Sequence, residues 1–245
     1  MKLVFIFICS IFFVACSNKK KVSEKSIKKG VEYIDQEEYI KAINHFQFLL
    51  KNELDDLSKA VIYRNISISF QSMGVLDSAK YYAKKSYTNA PNDSFEFFLN
   101  KADYFLLVNH VSEALLNLEQ AKEIDPNRQE VYNRYCSVYS GEYGDVFFNP
   151  ELAEKNAIQA CKINPGRIVK EQLGSIYFQN EKYKQSARIF KELIGKYPLN
   201  EKYTFYMGQA IYFGGNENKG IELMKHAAER DDSCKVMFQE IFENR

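Results

Sequence analysis

Small and apolar side chains return in a fixed phase along this chain. Ala42, Ala79, Ala114, Ala153, Ser186 and Gly220 are followed four positions later by Phe46, Ala83, Leu118, Ala157, Phe190 and Met224. Three positions further come Leu49, Ser86, Ala121, Ala160, Leu193 and Ala227. Spacings of four and three put the members of each set on one face of a helix, so the pattern predicts six helices of one kind. Pro91, Pro126, Pro165 and Pro198 each lie twelve residues after the first member of a set, and 35, 39 and 33 residues apart. Proline cannot continue a helix, so each of these four helices is expected to stop beside its proline.

A second series lies upstream of the first. It pairs a small residue with a larger one three positions on: Gly30 with Tyr33, Ser67 with Phe70, Ala102 with Phe105, Cys136 with Tyr139, Gly174 with Tyr177 and Gly208 with Ile211. Read together, the two series predict six helix–turn–helix units. The small residue of the first helix lets the second approach closely, and the aromatic fills the gap towards the neighbouring helix. One such pair leaves an apolar face uncovered, so the pairs must stack.

A period near 34 residues, with L-G-x2-Y-like positions followed by A-x3-F and Pro, resembles the tetratricopeptide repeat (TPR). The resemblance covers nearly all of the chain after residue 22 and implies an all-α, right-handed superhelix of about six repeats. The copies are read as 23–56, 60–93, 95–128, 129–166, 167–200 and 201–234. A short capping helix is expected over 235–245, through Val236, Phe238, Ile241 and Phe242. Two places depart from the pattern. Residues 57–59 fall between the first two copies, and the turn of the fourth copy, within 140–150, is longer by five residues. That turn carries Tyr143, Phe147 and Phe148. They read either as a functional loop or as cover for a widened helix pair.

The first residues follow a different rule. After Lys2, residues 3–15 are almost all apolar, a helix of about 20 Å. That is short for a bilayer core of about 30 Å and suits the apolar stretch of a signal peptide. Phe13-Val14-Ala15-Cys16 resembles a bacterial lipobox. The resemblance implies a signal peptide over 1–15, lipidation of Cys16 and a Lys-rich tether over 16–22. Lys19, Lys20 and Lys21 in that tether read as contacts for anionic head groups or as a solvated spacer. Neither Ser17 nor Asn18 is acidic, which leans the address towards the outer membrane of a bacterial cell envelope.

Composition narrows the function classes. Among 245 residues, 33 basic and 32 acidic side chains leave a net charge of +1, without the basic face that nucleic-acid binding requires. Seventeen Tyr and 19 Phe argue against disorder, and 11 Gly with 5 Pro are few for an all-β chain. His45, His110 and His226 fall in three separate repeats, and no metal-ligand spacing, phosphate loop or nucleophile elbow occurs. No catalytic residue, metal or cofactor is expected. Cys136 and Cys161 of one repeat read as a bridge or as buried thiols.

In TPR arrays the first helix of each pair lines a concave groove, mostly from its second, fifth, ninth and twelfth positions. Carried over, those slots and their neighbours give Arg64 and Asn65, Asn133 and Arg134, Glu171, Ser175 and Phe178, and Lys202, Phe205, Gln209 and Tyr212. Asn133, Arg134, Phe178, Phe205, Gln209 and Tyr212 are the candidate partner-binding residues, the aromatic ones alternatively packing between repeats. The Lys and Asn of a two-carboxylate clamp are replaced by Ile27 and Val31 in the first repeat. The resemblances together imply a lipid-anchored adaptor that binds a protein or peptide partner in the cell envelope. The competing expectation is a self-associating structural protein of the envelope.

Overall fold

The computed structural model describes residues 20–242; the expected signal peptide and the lipidation residue Cys16 lie outside the described residues. Twelve helices form six antiparallel pairs: α1 (Glu24–Asp35) with α2 (Tyr39–Leu49), α3 (Asp56–Ser72) with α4 (Leu76–Asn89), and α5 (Phe95–Leu107) with α6 (Val111–Ile124). Then come α7 (Gln129–Ser137) with α8 (Pro150–Ile163), α9 (Arg167–Gln179) with α10 (Tyr183–Lys196), and α11 (Glu201–Phe213) with α12 (Glu217–Ala228). A thirteenth helix, α13 (Asp232–Phe242), packs on the last pair through Met237, Phe238, Ile241 and Phe242. The fold is an all-α solenoid of the TPR type. The helices α4, α6, α8 and α10 each stop two residues before their proline.

The small positions do what their spacing implies. A Cβ placed on Gly174 would sit 2.9 Å from the Phe190 ring, and one on Gly208 would sit 2.9 Å from Met224. Each glycine therefore lies against the apolar residue of the set in its partner helix. Where serine replaces glycine or alanine, its hydroxyl finds a carbonyl across the pair. Ser67 donates to Ala79 and Ser186 donates to Gly174, both at 2.8 Å. Buried hydroxyls placed this way keep their hydrogen bonds while allowing close approach.

The turn inside each pair is also repeated. Glu37, Gly74, Asn109, Glu181 and Gly215 have positive φ, from 57° to 99°, just beyond the first helix of their pair. The next residue donates its N–H to the carbonyl of the aromatic slot: Glu38 to Tyr33, Val75 to Phe70, His110 to Phe105, Lys182 to Tyr177 and Asn216 to Ile211, at 2.8–3.0 Å. This left-handed closure satisfies the orphan carbonyls of the helix end. In the fourth pair the same bond is made to the Tyr139 carbonyl by Asn149, at 2.9 Å. The chain between them forms a π-helical turn, Val138–Glu142. Tyr143 and Phe147 pack on a core cluster shared by the third pair and α7, Tyr143 also lines the cavity that the first helices curve around, and Phe148 stays 51% exposed.

Residues 57–59 belong to the first turn of α3, where the Asp55 side chain accepts from the Ser58 N–H at 2.6 Å. The same region pins the start of the described chain. Lys20 forms an isolated parallel β-bridge with Leu54, its N–H donating to the Glu53 carbonyl at 2.9 Å and its carbonyl accepting from Asp55 at 3.0 Å. Val22 N–H then donates to the Ser58 hydroxyl at 2.9 Å. Cys136 and Cys161 are free thiols, as is Cys234. Burial pushes the Cys136 thiol up to about 12, so it packs as an inert apolar residue.

Candidate functional site

The first helices of all six pairs curve around a half-enclosed cavity of about 980 Å³. That size is at the upper end of ordinary ligand pockets. The ring closes between the first and fifth pairs, where Arg167 at the start of α9 donates from Nη2 to the Asp35 carbonyl at the end of α1, at 2.7 Å. Arg167 also reaches Glu171 at 3.2 Å and the Tyr203 hydroxyl at 3.3 Å, and Tyr203 donates to Glu171. Arg167 thereby joins α1, α9 and α11 around one guanidinium, whose planar fork suits several acceptors at once. A second cleft, of about 790 Å³, lies outside the ring beside Tyr132, Tyr135 and Glu154.

A carboxylate between two guanidinium groups organises the cavity wall. Asp103 on α5 accepts from Arg134 on α7 at 2.6 Å (Nε) and 3.2 Å (Nη2), and from Arg64 Nε on α3 at 3.1 Å. Burial alone would raise the Asp103 carboxyl, but Arg134 and Arg64 outweigh it and hold the group below the usual carboxylate range. Three consecutive repeats are thus locked through one side chain. Nearby, Glu130 pairs with Arg128 at 3.0 Å, and Arg128 reaches back to Glu96 at 3.4 Å.

Asn100, also on α5, has the other unusual environment. It is 1% exposed and lines the cavity, and among the described residues neither its Oδ1 nor its Nδ2 has a hydrogen-bond partner. The side-chain oxygens of Gln129 and Asn133 in the same wall are also unpartnered. Buried polar atoms are normally paired, and each one left alone costs about 1–3 kcal/mol.

The residues expected from the sequence divide between the cavity and the core. Asn133 and Arg134 line the cavity, together with Arg64, Glu171, Ser175 and Lys202. Phe205 does not: it is 0% exposed, in a core cluster with Met224, Ala227 and Cys234, so it offers no surface to a partner. Tyr212 packs edge-on against Phe213 and Phe242, because α13 covers the face that a further repeat would occupy. Phe178 stands in an aromatic cluster with Tyr183 and Phe213, at centroid distances of 5.5 and 5.6 Å. Neither Phe178 nor Gln209 lines the cavity. Asp103 and Asn100 are absent from the sequence-based set. Asp103 occupies the ninth slot of its repeat, so the slot rule applied to α5 reaches it; Asn100 lies one position beyond the fifth slot, outside the rule.

Among the described residues no group of three or more His, Cys, Asp or Glu side chains is placed to hold a metal ion. No helix among them is long and apolar enough to cross a membrane. No family model matches the chain, and no curated protein matches it. Solved structures do. A thermophilic TPR protein of Thermus thermophilus matches with a TM-score of 0.59 at 14% identity, over 76% of this chain and 97% of that one. YrrB, described as a TPR protein with an unusual peptide-binding site, matches with a TM-score of 0.52 at 15% identity, over 74% and 92%. The MSR-1 form of MamA matches with a TM-score of 0.52 at 18% identity, over 71% and 97%. At these identities the likeness is one of fold.

Proposed function

We propose that this chain is a lipid-anchored adaptor of the bacterial cell envelope, holding a protein or peptide segment in the cavity formed by its first helices. The observation that carries the reading is the polar wall of that cavity, where Asn100, Gln129 and Asn133 present buried side-chain atoms without partners. A bound segment supplies the missing hydrogen bonds, and binding alone is the mechanism. YrrB, with the same fold, is described as having a peptide-binding site, which supports a peptide as occupant.

Support for the anchor comes from the chain around Cys16. The lipobox-like Phe13-Val14-Ala15-Cys16 follows an apolar stretch of signal-peptide length. Lys20 is hydrogen-bonded to the loop ahead of α3, and the four residues from Cys16 to Lys20 span at most ~14 Å. A lipidated Cys16 therefore keeps the solenoid against the bilayer and raises its effective concentration for partners there. The lack of acidic residues at 17 and 18 favours the outer membrane.

The test is affinity capture of the full-length protein from crosslinked envelopes, beside Asn100→Leu and Cys16→Ala variants. The expected result is a partner recovered by the native chain, lost with Asn100→Leu, and recovered poorly from membranes with Cys16→Ala. Recovery of the chain alone replaces the adaptor with a self-associating structural protein. Unchanged membrane fractionation of Cys16→Ala removes the lipid anchor.

A further inference from the structure

The charges facing the cavity do not balance. Six carboxylates line it, against four basic side chains. Asp103, Glu130 and Glu171 are held in ion pairs with Arg64 and Arg134, with Arg128, and with Arg167 respectively. Asp35, Glu37 and Glu142 make no ion pair among the described residues, although Arg167 acts on Asp35 and Arg134 on Glu142 from beyond ion-pairing distance. Lys202 is the one lining cation without an ion pair among the described residues. Glu142 directly precedes Tyr143 in the long turn and acts on its hydroxyl electrostatically, Glu37 lies two residues before Tyr39 in the chain, and both tyrosines line the same cavity. A carboxylate with an aromatic ring nearby suits an ammonium or guanidinium group. The buried Asn100 amide adds an NH2 donor end and a carbonyl acceptor end, whichever way the two are assigned.

We propose that the cavity selects a short basic segment, with lysine or arginine side chains on Glu37 and Glu142 and a main-chain amide on Asn100. This inference rests on the peptide-binding reading above and specifies the occupant by charge. A free carboxylate terminus or an acidic segment meets the wrong field: Arg64 and Arg134 are already committed to Asp103, and the unpaired groups in the cavity are predominantly negative. Lys202 lies on α11, in the sixth repeat, whereas Glu142 follows α7 in the fourth.

The experiment is a fluorescence-anisotropy titration of the full chain in detergent micelles, with labelled octapeptides alternating Gly with Lys or Gly with Glu, and with spermidine as competitor. The variants are Asn100→Leu and Glu142→Gln. The lysine peptide is expected to bind and the glutamate peptide not to bind. Each variant is expected to weaken the lysine peptide by at least about tenfold, the equivalent of 1.4 kcal/mol. Glu142 is exposed, so Glu142→Gln tests the proposal even if Asn100→Leu fails to fold. A glutamate peptide that binds as well as or better than the lysine peptide overturns the charge assignment while leaving a peptide site. Lysine-peptide binding untouched by both variants marks adsorption to the exterior and overturns it too. Spermidine that binds as tightly as the peptide removes the role of the amide. If neither peptide binds while envelope capture still recovers a partner, this inference fails and the adaptor stands.

Discussion

Arg167 donates to the main-chain carbonyl of Asp35, 132 residues earlier in the sequence, at 2.7 Å. Nearest-neighbour stacking accounts for most of a solenoid. This contact is of another kind, because it joins the first repeat to the fifth and turns an open curve into a ring around the cavity.

Removing Arg167 is therefore expected to loosen the ring without unfolding the pairs. Arg167→Ala should lose about 1.5–3 kcal/mol, the scale of one charge-assisted hydrogen bond. Small-angle scattering should show a larger radius of gyration for the variant. Superimposable scattering curves would mean that stacking alone sets the curvature.

The close approach at the small positions sets a second expectation. Gly174→Leu and Gly208→Leu force a side chain into space held by Phe190 and Met224. Overpacking of this kind costs about 1–3 kcal/mol. Thermal melting should fall for both, while Gly195→Leu, where a Cβ meets nothing within 4 Å, should melt close to the parent. Equal melting of all three would contradict the packing described.

Asp103 makes stability depend on acid. Its carboxyl is raised by burial and lowered more strongly by Arg134 and Arg64. A carboxyl held below its unfolded value of roughly 3.9 gives its full stabilisation above that pH and loses it as the pH falls through the folded value. Asp103→Ala leaves two guanidinium groups facing each other and should cost about 3–5 kcal/mol at neutral pH. Urea unfolding at pH 7 and again near pH 3 should show the gap between parent and variant narrowing in acid. A gap that stays constant would assign the loss to packing.

Glu181 holds a φ of 57° in the turn between α9 and α10, a conformation that costs an L-residue about 1–2 kcal/mol. Part of that is regained by glycine, which has more chain entropy in the unfolded state and loses it on folding. Glu181→Gly should raise stability by about 0.5–1 kcal/mol, read as a shift of the urea midpoint with an unchanged slope. A lower midpoint would show that the Glu181 side chain contributes more than its backbone costs.

The pairs and their order are legible in the sequence because each depends on local spacing. Gly174 and Phe190 are sixteen residues apart and meet for reasons both helices state themselves. The long turn is legible as well, since the Tyr139 carbonyl keeps its bond with five more residues inside the loop. The ring closure is not, because Asp35 and Arg167 belong to no shared period. The aromatic slots are ambiguous for a physical reason: a phenylalanine at the fifth slot suits a groove or a helix interface equally well. At Phe205 the neighbouring α12 and α13 decide for the interface. Asn100 carries no signature beyond its type, and what sets it apart is the lack of hydrogen-bond partners among the described residues around it.

The bridge between Lys20 and Leu54 has a mechanical consequence. Tension applied to the chain ahead of Lys20 does not arrive first at the end of α1. It passes through the Lys20 hydrogen bonds to Glu53 and Asp55, and so into the junction between the first and second pairs. While those bonds hold, α1 and α2 lie in a loop shielded from the load, and the strain falls on α3, the helix that also carries Arg64. A pull on the chain ahead of Lys20 is thereby delivered to the wall of the cavity rather than spent on unravelling the first repeat.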